Sequence, residues 1–213
     1  MTIRAYQEIY LSKAQAVLGE AFDYAINTCE IPGDDFVKLF LASQISKRME
    51  NGEPSCIAGK SGIEIVQDVV YETTQKEIQH EAEISYSRST EYWCGWAVAY
   101  YQWYSGRKYY EIFRAVSFSD LQKMYYTLHE ADITKVVDVI QRKINAQFPE
   151  TNLKRIRAAY GCTQAELAKK AGVSLRSIQM YEQRNKDINK ASVAAVYGIA
   201  KALGCTVEDI IEK

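Results

Sequence analysis

Few residues of this chain are suited to catalysis or metal binding. The 213 residues include only two histidines, His80 and His129, and no two of the five cysteines lie within twenty positions of each other. No Cys or His pair therefore has the spacing of a metal or redox site. The cluster His129-Glu130-Ala131-Asp132 could offer ligands, but neighbours in one turn rarely converge on an ion. With no nucleophile beside an evident base, we expect no metal, no cofactor and no enzymatic activity.

Long apolar runs are also absent. No stretch reaches the roughly 18 consecutive apolar residues that a membrane helix needs, and the first residues lack the pattern of a secretory signal. An odd number of cysteines without such a signal is typical of reduced thiols. These features lead us to expect a cytoplasmic protein without a membrane span.

The alternating β-branched pattern of strands is missing as well. Only three prolines occur, Pro32, Pro54 and Pro149, and they separate segments of helical periodicity. Since 47% of the chain is hydrophobic, a substantial core is expected. The sequence predicts an all-α protein with two domains, residues 1–148 and residues 149–213.

Apolar residues recur at helical spacing throughout the first domain. They predict helices at residues 5–30, 34–50, 61–74, 90–105, 107–115, 119–128 and 132–147. Ser61 with Glu64, and Ser119 with Gln122, are expected to cap two of these helices. The polar segment 75–88 is expected to be irregular.

Ten aromatic residues fall between Tyr92 and Phe113. One helical face of this region contains Trp93, Trp96, Tyr100 and Tyr104, which we expect to pack in a core. One helix rarely buries every side, and exposed aromatic rings are typical interface anchors. The rings that lie off this face are therefore candidates for a protein-binding or dimer surface: Tyr101, Trp103, Tyr109 and Tyr110.

Charge is divided unevenly between the two domains. Residues 149–213 carry 11 Lys and Arg against 7 Asp and Glu, whereas residues 1–148 carry 15 against 20. A basic module attached to an acidic body is typical of a protein that binds nucleic acid through one end. The excess is small, so non-specific affinity should be weak and strongly salt-dependent.

Residues 163–184 read TQAELAKKAGVSLRSIQMYEQR. Thr163 and Glu166 form a capping box, and Gly172 stands where the chain needs a left-handed turn. Ser174 then caps a second helix whose inward residues are Ile178 and Tyr181. Two short helices joined by such a turn fit the major groove of DNA.

The resemblance of this region to a known family extends over residues 151–213, which resemble the Cro/C1-type (XRE-like) helix-turn-helix domain of phage repressors and bacterial regulators. It rests on QAELAxxxGVS at 164–174, SIxxYE at 177–182 and ALGCTVEDII at 202–211. The resemblance implies a five-helix, lambda-repressor-like bundle with helices at residues 152–160, 163–170, 174–184, 190–203 and 206–212. Glycines at the expected helix exits, Gly161, Gly172 and Gly204, agree with this arrangement.

The second helix of the motif holds the candidate DNA-binding residues: Ser174, Leu175, Arg176, Ser177, Gln179 and Met180. The planar fork of Arg176 matches guanine O6 and N7, and apolar side chains suit a thymine methyl; a contact between Arg176 and phosphate alone is the alternative. The following loop adds candidates for phosphate contact or helix capping: Arg184, Lys186, Asn189 and Lys190.

The same resemblance implies further roles. Gln164 would bond a phosphate, while Arg157 and Glu182 would form a buried ion pair, with a solvated Arg157 as the alternative. Such domains usually bind two half-sites of duplex DNA as dimers, with contacts here from residues 190–213 or from the aromatic region. We therefore expect a dimeric transcriptional autorepressor.

The N-terminal segments MTIRAYQEIYL and YWCGWAVAYYQWYSGR resemble the body domain of uncharacterised antitoxin-like bacterial regulators. This second resemblance implies an alternative function. The first domain would bind and neutralise a partner toxin, while the second domain would regulate the operon. A ligand-sensing role for the first domain stays open.

Overall fold

Helices form every regular element in the described residues of the computed structural model, which are residues 4–78, 88–147, 150–184 and 186–212. No strand occurs in these ranges, so the all-α prediction is confirmed. The described residues divide into two compact units, one within residues 4–147 and the other within residues 150–212.

The N-terminal unit is built from nine α-helices within its described residues. They are α1 (Leu11–Asp23), α2 (Gly33–Ala42), α3 (Gln44–Glu50), α4 (Pro54–Ile57), α5 (Gly62–Thr74), α6 (Thr90–Ser105), α7 (Tyr109–Ala115), α8 (Phe118–Leu128) and α9 (Ile133–Gln147). A 3₁₀ turn at Glu8–Tyr10 precedes α1, and a π-helical turn at Tyr24–Thr28 continues it.

The predicted helix 5–30 is helical only over residues 8–28, and the predicted helix 107–115 begins at Tyr109. Three further details of this unit differ from the sequence prediction. The predicted helix 34–50 breaks at Ser43, whose hydroxyl donates to the Phe40 carbonyl and whose backbone is extended. Pro54 starts the short helix α4, because proline fits the first position of a helix. The cap of α8 is Ser117 with Asp120 rather than Ser119 with Gln122.

The segment 75–88 was expected to be irregular. Residues 75–78 and 88 are described and lie outside the helices, with Gln75 ending α5 in the left-handed region. Residues 79–87, including His80, lie outside the described residues.

Close contact between α1 and α6 sets the centre of the N-terminal unit. A Cβ atom on Gly95 of α6 would lie 2.3 Å from the Leu18 carbonyl oxygen of α1. A Cβ on Gly62, at the start of α5, would likewise lie 2.4 Å from the Ala21 nitrogen. Helices α5 and α6 therefore approach α1 where glycines leave room for its backbone.

A cluster of phenylalanine rings fills the space beside this contact. The Phe22 ring centroid lies 5.1 Å from that of Phe36 in an edge-to-face arrangement. It also lies 6.1 Å from Phe113 and 5.8 Å from Phe118. These rings come from α1, α2, α7 and α8, so one aromatic cluster joins two pairs of consecutive helices that are distant from each other in sequence.

The prediction of exposed aromatic anchors was wrong for three of its four residues. Tyr101, Trp103 and Tyr109 are buried, and only Tyr110 is exposed, with 53% of its surface accessible. Each buried ring is covered by a segment far away in sequence. Tyr101 Oη donates to Gln141 Oε1 at 2.7 Å, Trp103 Nε1 donates to the Tyr6 carbonyl at 2.9 Å, and Tyr109 packs on Phe40.

The opposite aromatic face of α6 was expected to be buried, and this prediction was also wrong. Its four rings are only partly buried: Trp93, Trp96, Tyr100 and Tyr104. Small residues such as Gly95 and Ala99 occupy the side of α6 that packs in the core. A large ring would not fit at Gly95, where the backbones of α1 and α6 approach so closely.

The C-terminal unit contains five α-helices and one 3₁₀ turn in its described residues. They are α10 (Asn152–Tyr160), α11 (Gln164–Ala171), α12 (Leu175–Glu182), the 3₁₀ turn Ile188–Lys190, α13 (Val193–Leu203) and α14 (Val207–Ile210). The order matches the five-helix prediction, and the helix ends after α10 differ by up to three residues, with the largest shift at the start of α13. Helix α13 begins at Val193 rather than residue 190, because Ser192 is its cap and accepts from Ala195 N.

Apolar side chains from all five helices meet in one core. Fully or almost fully buried members include Leu153, Leu167, Ile178, Ile199 and Ile210. The backbones of α11 and α13 come close here as well, since a Cβ on Gly198 would lie 2.5 Å from the Ala171 carbonyl oxygen. This core fixes the inner faces of α11 and α12 and leaves their outer faces accessible.

We predict that Gly95→Ala lowers the free energy of unfolding of the N-terminal unit by about 2 kcal/mol, because the new methyl group overlaps backbone atoms of α1. This cost outweighs the gain of about 1 kcal/mol in helix propensity. Urea denaturation followed by tryptophan fluorescence measures it, since Trp93, Trp96 and Trp103 all belong to this unit.

The matched control is Gln67→Ala, an alanine substitution at an exposed position within α5. It should change the unfolding free energy by less than about 0.5 kcal/mol. Unchanged or increased stability of the Gly95→Ala protein would contradict the close contact between α1 and α6.

Candidate nucleic-acid interface

A capping box begins the two-helix motif. Glu166 N donates to Thr163 Oγ1 at 3.2 Å, and Thr163 N donates to Glu166 Oε2 at 2.8 Å. These bonds satisfy amide groups that the first turn of α11 cannot pair. Hydrogen bonding by the Thr163 amide also lowers the pKa of the Glu166 carboxyl.

The turn between α11 and α12 depends on glycine. Gly172 has φ of +68°, and a Cβ atom there would have no neighbour within 4 Å. The requirement is therefore conformational, since an L-side chain is strained in this region of backbone space even where it has room. The turn directs the chain from α11 into the start of α12.

Two serines close the first turn of α12. Ser177 N donates to Ser174 Oγ at 3.1 Å, and the two hydroxyl oxygens lie 2.9 Å apart. Ser174 remains exposed while Ser177 is half-buried. Both were candidates for DNA contact from the sequence, and the structure places both hydroxyl groups in the cap of the helix.

The two faces of α12 differ in accessibility. Ile178 and Tyr181 point into the core and are buried. Arg176 is exposed, as is Leu175 with 41% of its surface accessible, whereas Gln179 is half-buried. Met180 is half-buried too. The first turn of α12 therefore presents its cationic and apolar side chains to solvent.

An ion pair joins α10 to the end of α12. Arg157 Nε donates to Glu182 Oε1 at 2.6 Å, and Arg157 Nη2 donates to Glu182 Oε2 at 3.0 Å. The third guanidinium nitrogen, Nη1, donates to the Cys162 carbonyl at 2.7 Å. Bonding to Glu182 raises the pKa of Arg157 further above its usual value. Only 2% of the Glu182 side chain is exposed, so its charge depends on these partners.

Gln164 lies beside this pair. Its Nε2 donates to Glu182 Oε2 at 2.8 Å, so one of its two amide hydrogens is used within the protein. The phosphate contact that the family resemblance implies for Gln164 would use the other amide hydrogen. The bond to Glu182 fixes the amide at the start of α11.

Two residues of the loop after α12 are held by the end of the chain. Arg184 Nη2 donates to Glu212 Oε2 at 3.2 Å, and Asn189 Oδ1 accepts from Glu212 N at 3.0 Å. Asn189 therefore binds the C-terminal segment instead of capping α13, which corrects the sequence expectation. Both side chains stabilise the loop, and nothing in the local sequence pattern identified Glu212 as their partner.

The loop lysines are more accessible. Lys186 is exposed, with Nζ 5.5 Å from the centre of the Tyr181 ring. Lys190 is also exposed, and its Nζ lies 3.6 Å from Asp187 Oδ2. Of the four loop candidates, these two keep their charge at the surface.

The surface of the C-terminal unit has further cations that the sequence analysis did not single out. Lys169 and Lys170 are exposed at the end of α11, and Lys154 and Arg155 are exposed on α10. These residues were counted in the charge of the domain. Their positions around each helix, relative to its apolar residues, are the signal that could have identified them as exposed.

Neither a metal site nor a membrane-spanning helix occurs in the described residues. In residues 4–78, 88–147, 150–184 and 186–212, no group of three or more His, Cys, Asp or Glu side chains is arranged to hold a metal ion. Within the same ranges, no helix has the length and apolar character needed to cross a bilayer.

We predict that Arg157→Met destabilises the C-terminal unit by about 3 kcal/mol, because Glu182 keeps its buried charge and loses its cation. Amide hydrogen exchange of peptides from α10 to α12 should be about 100-fold faster, since exchange reports local opening. The control is Arg155→Met, which removes an exposed guanidinium from the same helix. Equal exchange rates in the two variants would show that the ion pair does not hold α12.

Comparison with known proteins identifies the fold of this surface. Residues 153–210 match the model of the Cro/C1-type helix-turn-helix family. No curated protein and no solved structure matches the chain. The family match covers α11, the glycine turn and α12, together with most of α10 and all of α13 and α14. Residues 153–210 therefore form a helix-turn-helix domain, the domain type of DNA-binding regulators.

Proposed function

We propose that this chain is a cytoplasmic, sequence-specific regulator of transcription that inserts α12 into the major groove of duplex DNA. The exposed first turn of α12, with Arg176 and Leu175 on its surface, is the observation that supports this function most directly. The N-terminal part of such a helix meets base edges in known complexes of this type. The basic charge of residues 149–213 favours the same domain for DNA binding.

Each candidate side chain has a distinct proposed role. Arg176 reads a guanine through O6 and N7, and Leu175 and Met180 contact thymine methyl groups. Gln179 reaches a neighbouring base edge, while Lys186 and Lys190 position the domain through phosphates without reading sequence. If Arg176 contacts only phosphate, its removal gives a different result, because binding to all DNA sequences would then weaken equally.

We predict that Arg176→Ala weakens binding to the cognate operator by about 1–3 kcal/mol and relaxes base preference at one position. Autoregulation places that operator upstream of the chain's own gene, and gel shifts with fragments of this region measure the affinity. Salt concentration must be held constant because phosphate contacts make affinity salt-dependent.

Lys201→Ala is the control, because it removes one exposed positive charge from the same unit at the last turn of α13. It should leave base preference unchanged. Failure of the unaltered chain to shift any fragment of its own promoter would contradict autoregulation. An Arg176→Ala protein with unchanged base preference would contradict direct base contact.

We also propose that the regulator acts as a homodimer through α13. Val193 and Tyr197 lie one helical turn apart, with 85% and 61% of their surfaces exposed. Large apolar side chains so accessible on one helix face are typical of an interface. A dimer would address two half-sites, which one small domain cannot do.

We predict that the full chain sediments as a dimer at micromolar concentration and that Tyr197→Glu shifts it to the monomer, because two buried carboxylates would repel each other. Tyr110→Glu tests the other candidate surface, since Tyr110 is an exposed ring of the N-terminal unit. Analytical ultracentrifugation of both variants shows which of the two surfaces forms the dimer. A wild-type monomer, free and bound to DNA, would exclude the dimer, and dissociation only by Tyr110→Glu would move the interface to the N-terminal unit.

A second candidate function is neutralisation of a partner toxin by the N-terminal unit. The observation that favours it is the aromatic surface of this unit, with Tyr110 exposed and Trp93 and Trp96 partly exposed. Aromatic rings of this kind often dominate binding energy at protein interfaces. The helix-turn-helix domain would then add regulation of the operon.

We predict that the full chain co-purifies with the product of the adjacent reading frame and that Tyr110→Ser weakens this capture at least tenfold. Tyr126→Ser is the matched control, since Tyr126 is another exposed tyrosine of the same unit. If the adjacent product is not retained by the unaltered chain, this second function is excluded.

A further inference from the structure

An aromatic groove opens on the N-terminal unit between the start of α6, the end of α8 and the start of α9. Its volume is about 320 Å³, and its described lining includes Tyr92, Trp93, Trp96 and Tyr125. Small-molecule sites are commonly concave spaces of about 300–1,000 Å³ lined by aromatic side chains. The groove therefore has room for a ligand of one or two rings.

The rings of the groove are held in defined orientations. The Trp93 and Tyr125 centroids lie 5.7 Å apart with planes 75° from parallel. The His129 imidazole stacks on Tyr125 with centroids 4.4 Å apart, and its Nδ1 lies 2.7 Å from the Tyr125 carbonyl oxygen. Preorganised faces and edges of this kind accept a planar ring at little cost in side-chain entropy.

Arginine provides the permanent charge in the groove lining, while the Glu130 carboxylate lies outside the lining, 3.6 Å from His129 Nε2. Arg88 is the only permanently charged residue in the described lining, and its Cζ lies 4.9 Å from the centre of the Tyr92 ring. No ion pair of Arg88 occurs within the described residues. The Glu91 carboxylate forms hydrogen bonds with two other side chains. It accepts from Gln122 Nε2 at 3.1 Å and from Asn27 Nδ2 at 3.3 Å.

These features select among ligand classes. A cationic ligand would meet the like charge of Arg88, which already occupies one aromatic face. A neutral aromatic molecule would offer no anion to the Arg88 guanidinium, which has no ion pair within the described residues. A planar aromatic carboxylate suits both the aromatic lining and Arg88. Its ring stacks on the groove aromatics, and its two oxygens match the fork of the arginine.

We propose that this groove binds a small planar aromatic carboxylate, with Arg88 as the anion-binding residue and with Trp93, Trp96 and Tyr125 around the ring. The site lies in the N-terminal unit and does not depend on the DNA-binding function proposed above. It gives this unit a ligand class of its own.

Isothermal titration calorimetry of the full chain with three probes of similar shape tests the proposal. The probes are 1-naphthoate, the neutral 1-naphthamide and the cation 1-naphthylmethylammonium. We expect saturable 1:1 binding of 1-naphthoate, at least tenfold tighter than that of the amide, since charge-assisted hydrogen bonds are the stronger ones. The ammonium probe should bind more weakly than both.

Arg88→Gln should remove the preference for 1-naphthoate and leave the affinity for 1-naphthamide within twofold. Arg142→Gln is the matched control, because it removes an exposed guanidinium of α9 that is not part of the groove lining. Trp96→Leu, with its fold verified by circular dichroism, should weaken both probes at least tenfold.

Four results would overturn the proposal, and three of them concern 1-naphthoate. These three are an absence of saturable 1-naphthoate binding up to its solubility limit, equal affinities for the carboxylate and the amide, and an unchanged preference in the Arg88→Gln protein. Tighter binding of the ammonium probe would also overturn it, and would assign the groove to cations.

Discussion

The ion pair between Arg157 and Glu182 is the interaction on which the DNA-binding surface depends. Glu182 ends α12, and its two carboxylate oxygens accept from two guanidinium nitrogens of Arg157 and from the Gln164 amide. A buried carboxylate with all its partners stabilises one arrangement, whereas the same carboxylate without them would be strongly destabilising. The pair therefore joins α10, α11 and α12 in a single orientation.

The start of α12 is held in a different way from its end. Ser174 caps the first turn, and Gly172 gives the chain the left-handed turn that leads into it. Fixed at both ends, the helix presents Arg176 from a rigid backbone, which is what recognition of a base edge requires. The loop that follows is held through Glu212, which binds Arg184 and Asn189, so its conformation depends on the last residues of the chain.

The sequence predicted the C-terminal unit well because its signals are local. Caps such as Thr163 and glycines such as Gly172 act within one turn, and a family resemblance supplied the order of the helices. The aromatic helix α6 was interpreted less well, because burial of Tyr101 and Tyr109 depends on segments far away in the chain. Periodicity identifies the faces of α6 but does not tell which face packs against α1. In the structure it is the face that contains Gly95.

The proposed insertion of α12 into the major groove of DNA is tested most directly by methylation interference. Dimethyl sulfate modifies guanine N7 in the major groove and adenine N3 in the minor groove. With the full chain on its operator, the account predicts that binding is blocked by guanine N7 methylation within each half-site, and that adenine N3 methylation has little effect. Interference confined to adenine N3, or absent from both positions on a fragment that the chain binds, would contradict it.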